Sequence, residues 1–110
     1  MHCHFSIVDC DGSNVFVDGS TNASTALVNA FAGCLAAMAG SSLIFAPFDD
    51  SCERLVPYAH ATTTISWGYD NRTTVIHIPS GAPMARRIEN RVAGGAANPY
   101  LLLAAMLGAA

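Results

Sequence analysis

The sequence predicts an α+β fold in which an antiparallel sheet is covered on one side by helices. Short segments with strand-like alternation stand at the beginning of the chain and between residues 62 and 91. Two segments without charged residues, 19–48 and 92–110, contain helix-type spacing instead. The chain has 110 residues, of which 52% are hydrophobic and 12% charged, so we expect one domain with one modest core over residues 1–110.

The first predicted strand covers residues 1–7, where apolar and polar residues alternate. Residues 11–14, with the sequence Asp-Gly-Ser-Asn, are typical of a turn, and residues 15–17 are then the returning strand of a hairpin. The apolar face of the first strand would contain Met1, Cys3, Phe5 and Ile7, and its polar face His2, His4 and Ser6.

Helices are predicted next along the chain. Ser24 is a candidate N-cap of a helix that runs to about Ala39, with Gly40 as its stop. Residues 42–48 indicate a second short helix, and residues 49–61 a loop with short helical turns.

The remaining elements are three strands and a helix. Residues 62–67, 73–78 and 84–91 predict strands, with a turn at 68–71. Asn98 then caps a final helix that has Pro99 at its first position and Gly108 near its end.

Composition excludes several classes of function. The net charge of −3 and the lack of lysine disfavour nucleic-acid binding, which requires a basic patch. Asn, Gly and Pro interrupt both uncharged segments, so we expect no membrane span. Without a signal-peptide pattern after Met1, we expect a cytoplasmic protein whose four cysteines are reduced and bind no zinc.

The richest polar pattern lies at residues 84–91, which contain three of the five arginines. In a strand, Arg87, Glu89 and Arg91 share one face. A carboxylate between two guanidinium groups suits a metal ion beside an anionic substrate. The alternative is a surface ion-pair ladder, which would contribute little stability.

Four other residues offer related chemistry. His2 and His4 suit a metal and a phosphate, or are ordinary surface residues. Arg54 lies near acidic residues with which it could pair at the surface. Arg72 follows an aromatic turn and suits a carboxylate or phosphate, or forms a salt bridge to Asp70. Because no phosphate-binding glycine loop or nucleophile motif occurs, this set indicates anion and metal binding.

Five blocks of sequence, in order, resemble the glutamine synthetase family, in the C-terminal half of its catalytic domain. They are M-H-C-H-F-S at 1–6, R-L-V-P at 54–57, S-W-G-Y-D-N-R-T at 66–73, A-R-R-I-E-N-R at 85–91 and A-N-P-Y-L-L-L-A-A at 97–105. The third and fourth blocks are similar to the branch that joins glutamate to amines such as putrescine. The resemblance implies a partial catalytic domain, without the N-terminal domain and the upstream catalytic half.

This resemblance implies an ATP-dependent ligase that forms a γ-glutamyl amide through γ-glutamyl phosphate. Its cofactors would be ATP and Mg²⁺ or Mn²⁺, its substrates glutamate and ammonia or an amine, and the complete protein a homo-oligomer without nucleic-acid or membrane partners. The residues that match are His2 and Glu89 as metal ligands; His4, Ser6 and Arg87 near ATP; Arg54 and Arg91 at glutamate; and Arg72 as the catalytic residue between glutamate and the nucleotide.

Three positions depart from the family pattern. His60 stands where a site-closing glutamate is usual, His77 where a second phosphate-contacting arginine is usual, and Met84 where a lysine is common. Each departure removes a charge from the expected site. The alternative to a ligase is therefore a non-catalytic remnant, or a module that binds nucleotides or other anions.

Overall fold

The computed structural model describes residues 1–19, 22–56 and 63–110, with Asn22 described by its backbone alone. No helix within these ranges has the length and apolarity needed to cross a membrane. The strands are β1 (Cys3–Phe5), β2 (Val17–Asp18), β3 (Asn22–Ala23), β4 (Trp67–Tyr69), β5 (Ile76–Ile78) and β6 (Ile88–Asn90). The helices are α1 (Thr25–Ala37), α2 (Ser42–Phe45) and α3 (Pro99–Ala109), with 3₁₀ turns at Asp49–Cys52 and Pro83–Ala85.

Four of the strands form one sheet in the order β1-β6-β5-β4. The pairs β1–β6 and β6–β5 are antiparallel, but β4 and β5 are parallel. The prediction of an antiparallel sheet is therefore corrected to a mixed sheet. The reason is the loop 70–75: it starts at Asp70 with φ of 46° and returns the chain so that Ile76 pairs beside Trp67.

Helices cover one face of this sheet, which confirms the predicted α+β class and layering. Side chains from β1, β5 and β6 pack against α1 and α3 in a single core. Its most deeply buried members include Phe16, Leu27, Ile76, Ile78, Ile88 and Met106.

Both predicted helix caps are confirmed. The Ser24 hydroxyl accepts from the Leu27 N–H, and the Asn98 side chain accepts from the N–H groups of Tyr100 and Leu101. These bonds satisfy amide donors that have no partner within the helix. The helices therefore begin where local sequence chemistry predicts.

The predicted hairpin forms only next to its turn. A turn does form, with the Val15 N–H donating to the Ile7 carbonyl and an isolated bridge from Val8 to Asn14. β1, however, pairs with β6 from the far end of the sequence. Residue 17 instead pairs with residue 23 in a separate two-stranded sheet.

The later strands are shorter than predicted. Residues 63–66 do not form the predicted strand, since β4 begins at Trp67 and includes Gly68 and Tyr69 of the predicted turn. β6 covers only residues 88–90 of the predicted 84–91. Pro83 starts a 3₁₀ turn there, and the buried Asn14 amide donates to the carbonyls of Met84 and Arg86. These two carbonyls accept hydrogen bonds from a side chain instead of from the backbone of a neighbouring strand.

Candidate functional site

A row of residues crosses the sheet on the face opposite the helices. The strand register places His4 opposite Glu89, Glu89 opposite His77, and His77 opposite Gly68. Because side chains alternate along a strand, the flanking residues Phe5, Ile76, Ile78 and Ile88 face the apolar core instead. The sheet therefore presents one polar row on the face without helices.

Glu89 lies at the centre of this row, and its carboxylate is surrounded by nitrogen atoms. Its Oε1 is 2.8 Å from His2 Nδ1, 2.8 Å from Arg91 Nη1 and 3.7 Å from His4 Nε2. Its Oε2 forms a hydrogen bond with His77 Nδ1. Only 4% of Glu89 and 5% of Arg91 is exposed, so the pair is buried within the row and the alternative of a surface ion-pair ladder is wrong.

The pKa values at this cluster favour an ionised Glu89 beside a neutral His2. Burial raises the pKa of Glu89, but the hydrogen bond from His77 and the charge of Arg91 outweigh it, so the pKa is lowered. Burial and the charge of Arg91 lower the pKa of His2 despite the attraction of Glu89. Near neutral pH, the site thus presents a carboxylate and an imidazole with a lone pair.

Arg87 reaches the cluster through His4 rather than through Glu89. Its Nε donates to His4 Nδ1 at 3.3 Å, and its Nη1 donates to the Ala85 carbonyl at 3.0 Å. The predicted shared face of Arg87, Glu89 and Arg91 is therefore only partly realised, since Arg87 precedes β6. Ser6 is exposed just after β1.

Arg54 is placed by the backbone at residues 92–94. Its Nη2 donates to the Val92 carbonyl, and its buried Nε has no hydrogen-bond partner within the described chain. Its guanidinium lies against Gly94, where an added Cβ would be 3.5 Å from Nε and Nη2. Among the residues described, no ion pair joins Arg54 to its acidic neighbours, so the surface pairing considered from sequence does not form.

Arg72 is exposed in the loop between β4 and β5 and is not among the side chains that contact Glu89. A close salt bridge to Asp70 is absent from the described ion pairs, although the charge of Arg72 contributes to the lowered pKa of Asp70. The main cause of that lowering is the backbone N–H of Ser80, 2.8 Å from Asp70 Oδ1. His60 lies outside the described residues.

Sequence reasoning did not anticipate the role of His77 beside Glu89. In the sequence, His77 is notable only as a lost charge within an apolar run. Its contact with Glu89 depends on the register of β5 and β6, for which the only sequence signal is a histidine between two isoleucines. Asn14 was likewise predicted as a turn residue, but it is buried and fixes the approach to β6.

His2 and Glu89 fit a divalent cation as two of its ligands. Their Nδ1 and Oε1 atoms lie 2.8 Å apart on the open face of the sheet, and a cation that replaced the shared proton would bind both. An imidazole and a carboxylate suit Mn²⁺, and Mg²⁺ commonly takes its remaining ligands from water and phosphates. Within residues 1–19, 22–56 and 63–110, no three His, Cys, Asp or Glu side chains are arranged to hold a metal, so further ligands would have to come from elsewhere.

Comparison with known proteins places this geometry in context. The family model of the glutamine synthetase catalytic domain matches residues 1–110. A gamma-glutamylethanolamide synthetase of Streptomyces coelicolor is 38% identical over 98% of the chain and 23% of its own length. A gamma-glutamylputrescine synthetase of Escherichia coli is 40% identical over 96% of the chain and 22% of its own length.

A solved structure is also similar. The structure of GmaS without ligand superposes with a TM-score of 0.75 and 31% identity, and it covers 98% of this chain and 24% of the GmaS chain. The chain therefore spans about a quarter of the length of the relatives it matches.

Proposed function

Because this chain belongs to the glutamine synthetase family, we propose that it is part of an ATP-dependent ligase that joins glutamate to ammonia or an amine. The γ-carboxylate oxygen of glutamate attacks the terminal phosphorus of ATP, and ADP leaves. The amine nitrogen then attacks the acyl carbon of γ-glutamyl phosphate, phosphate leaves, and the nitrogen loses a proton. The products are ADP, phosphate and a γ-glutamyl amide.

One observation carries the proposal: the fold brings His2, Glu89 and Arg91 together from opposite ends of the sequence. Glu89 Oε1 lies 2.8 Å from both His2 Nδ1 and Arg91 Nη1. These three residues are the ones that the family resemblance assigns to a metal ion and to glutamate. A buried cluster of this kind is costly to fold, which favours a role in function over one in stability.

The proposed roles follow from these positions. His2 and Glu89 hold Mg²⁺ or Mn²⁺, which supplies positive charge to phosphate oxygens when it is bound. Arg91, next to the metal pair, binds the glutamate carboxylate with Arg54, while Arg72 in its exposed loop neutralises charge at the transferred phosphoryl group. We assign His4, Ser6 and Arg87 to ATP binding, as the family resemblance implies.

The acceptor and the wider assembly are also part of the proposal. Relatives named for ethanolamide and putrescine products support a primary amine as the acceptor. We place the protein in the cytoplasm, as a homo-oligomer whose sites are completed by chain beyond these elements. Such completion would supply the metal ligands that His2 and Glu89 lack.

The direct test is glutamate-dependent ADP release with ammonium, ethanolamine or putrescine, measured on the purified protein and on any longer reading frame that contains it. We expect activity from the longer protein, which His2→Ala abolishes. His2 is partly exposed and outside the core, so this change leaves the fold intact. Glu53→Ala, at an exposed carboxylate away from the row, is the matched control and should retain full activity.

Two results would count against the ligase. ADP release that does not depend on glutamate would indicate a different phosphoryl acceptor. Stoichiometric binding of Mg-ATP by the 110-residue chain, without turnover in any longer form, would favour the nucleotide- or anion-binding module instead.

A further inference from the structure

His77 lies next to Glu89 in the polar row, on a strand that is otherwise apolar. Its neighbours Ile76 and Ile78 point into the core, and β5 lies between β4 and β6. His77 itself is only 5% exposed, and its Nδ1 forms a hydrogen bond with Glu89 Oε2. A buried imidazole is therefore in direct contact with a proposed metal ligand.

The partners of His77 determine its tautomer. An ionised carboxylate is an acceptor only, so the shared hydrogen must be on Nδ1. The other ring nitrogen, Nε2, is buried without a hydrogen-bond partner in the described chain and lies 4.0 Å from Asp70 Oδ1. The imidazole is thus fixed at one nitrogen by Glu89.

The two carboxylate oxygens of Glu89 have different partners. Oε2 contacts His77 Nδ1, while Oε1 lies 2.8 Å from His2 Nδ1 and 2.8 Å from Arg91 Nη1. A carboxylate held at one oxygen cannot rotate away from its other partner without breaking a buried hydrogen bond. His77 and Arg91 together therefore fix the direction of Oε1.

We propose that His77 is a positioning residue, which holds Glu89 so that Oε1 and His2 Nδ1 are preorganised for one divalent cation. This inference rests on the proposed function, because it takes His2 and Glu89 as the metal ligands. Groups that orient a ligand in this way typically change metal affinity by about 10- to 100-fold when they are removed. His77, which stands where the family usually has an arginine, thus has a function of its own besides the loss of a charge.

The test compares two substitutions at this position. His77→Asn retains an N–H donor near the place of Nδ1, whereas His77→Leu fills similar space without a donor. Both variants are made in the longest reading frame that contains this chain, because no third ligating side chain joins His2 and Glu89 among the described residues. Binding of Mn²⁺ is followed by the loss of the free-ion signal in electron paramagnetic resonance, and folding is followed by thermal unfolding. We expect His77→Leu to weaken Mn²⁺ binding by about 10- to 100-fold, and His77→Asn to remain close to the parent protein.

A second measurement does not depend on metal or on the folding of a His77 variant. In the metal-free parent protein, ¹⁵N NMR of the His77 ring should show hydrogen on Nδ1. His77→Leu that binds Mn²⁺ as tightly as the parent, or an Nε2–H tautomer in the parent, would overturn the positioning role. His2→Ala and Glu89→Ala distinguish failure of the proposed metal site from failure of the positioning role. If neither substitution weakens Mn²⁺ binding, His2 and Glu89 are not the metal ligands.

Discussion

At the scale of single residues, the molecule is organised around one buried carboxylate. Glu89 is 4% exposed and is compensated by Arg91, His77 and His2. An uncompensated charge at this depth would be strongly destabilising, so each partner offsets part of the cost of burial. The same partners determine which protonation states the folded protein favours.

The pKa shifts predict that the metal-free protein loses stability in acid. The lowered pKa of Glu89 contributes stability that is present above its unfolded value of about 4.3 and is lost as the pH falls through the folded value. Because the pKa of His2 is lower in the folded protein than in the unfolded chain, His2 is protonated in the unfolded chain first as the pH falls. The free energy of unfolding therefore also declines below about pH 6.5. Urea unfolding in EDTA, measured from pH 7.5 to 3.5, should show both declines.

Variants separate these two contributions. His2→Gln should remove the decline that begins near pH 6.5, while leaving the lower one unchanged. Asp70 also has a lowered pKa, chiefly because of the Ser80 N–H, so part of the lower decline should persist in Glu89→Gln. Stability that rises on acidification between pH 6.5 and 4 would contradict the prediction.

At the scale of elements, the contact between α1 and α3 depends on a glycine. A Cβ built on Gly33 would lie 1.8 Å from the Ala109 carbonyl oxygen. The end of α3 therefore packs directly against the backbone of α1. Gly108, also within α3, has no neighbour within 4 Å of an added Cβ.

These two glycines should respond oppositely to alanine. We expect Gly33→Ala to destabilise the protein by about 1–3 kcal/mol, because the backbone of α3 must move away. Gly108→Ala should stabilise it by up to about 1 kcal/mol through helix propensity, with nothing to clash against. Urea unfolding gives both values, and hydrogen exchange should show a loosened last turn of α3 in Gly33→Ala alone. Equal effects of the two substitutions would rule out this close helix contact.

At the scale of the whole molecule, much apolar surface is left uncovered. The accessible surface is 6335 Å², whereas about 5800 Å² is expected of a compact domain of this mass. α3 is apolar on all sides, yet of its leucines only Leu102 is buried, while Leu101 is 55% exposed. Helices of this kind are normally buried on every face, which supports further protein over α3.

We therefore expect the 110-residue chain to self-associate when it is expressed alone. Leu101→Gln should reduce the association, measured by light scattering, without lowering the unfolding midpoint. The neighbouring Leu102→Gln is the matched comparison: it places an amide in the core and should abolish cooperative unfolding. A parent chain that stays monomeric at all concentrations would show that the exposed face of α3 needs no partner.

The helix starts at Ser24 and Asn98, the α+β class and the family resemblance could all be predicted from the sequence. Caps and periodicity depend on residues a few positions apart, so they can be read locally. The tertiary structure decided the rest: the parallel β4–β5 pair, the short β6, and the contact between His77 and Glu89. These depend on the direction and register in which strands pair, which the packing of the common core sets and no local pattern encodes.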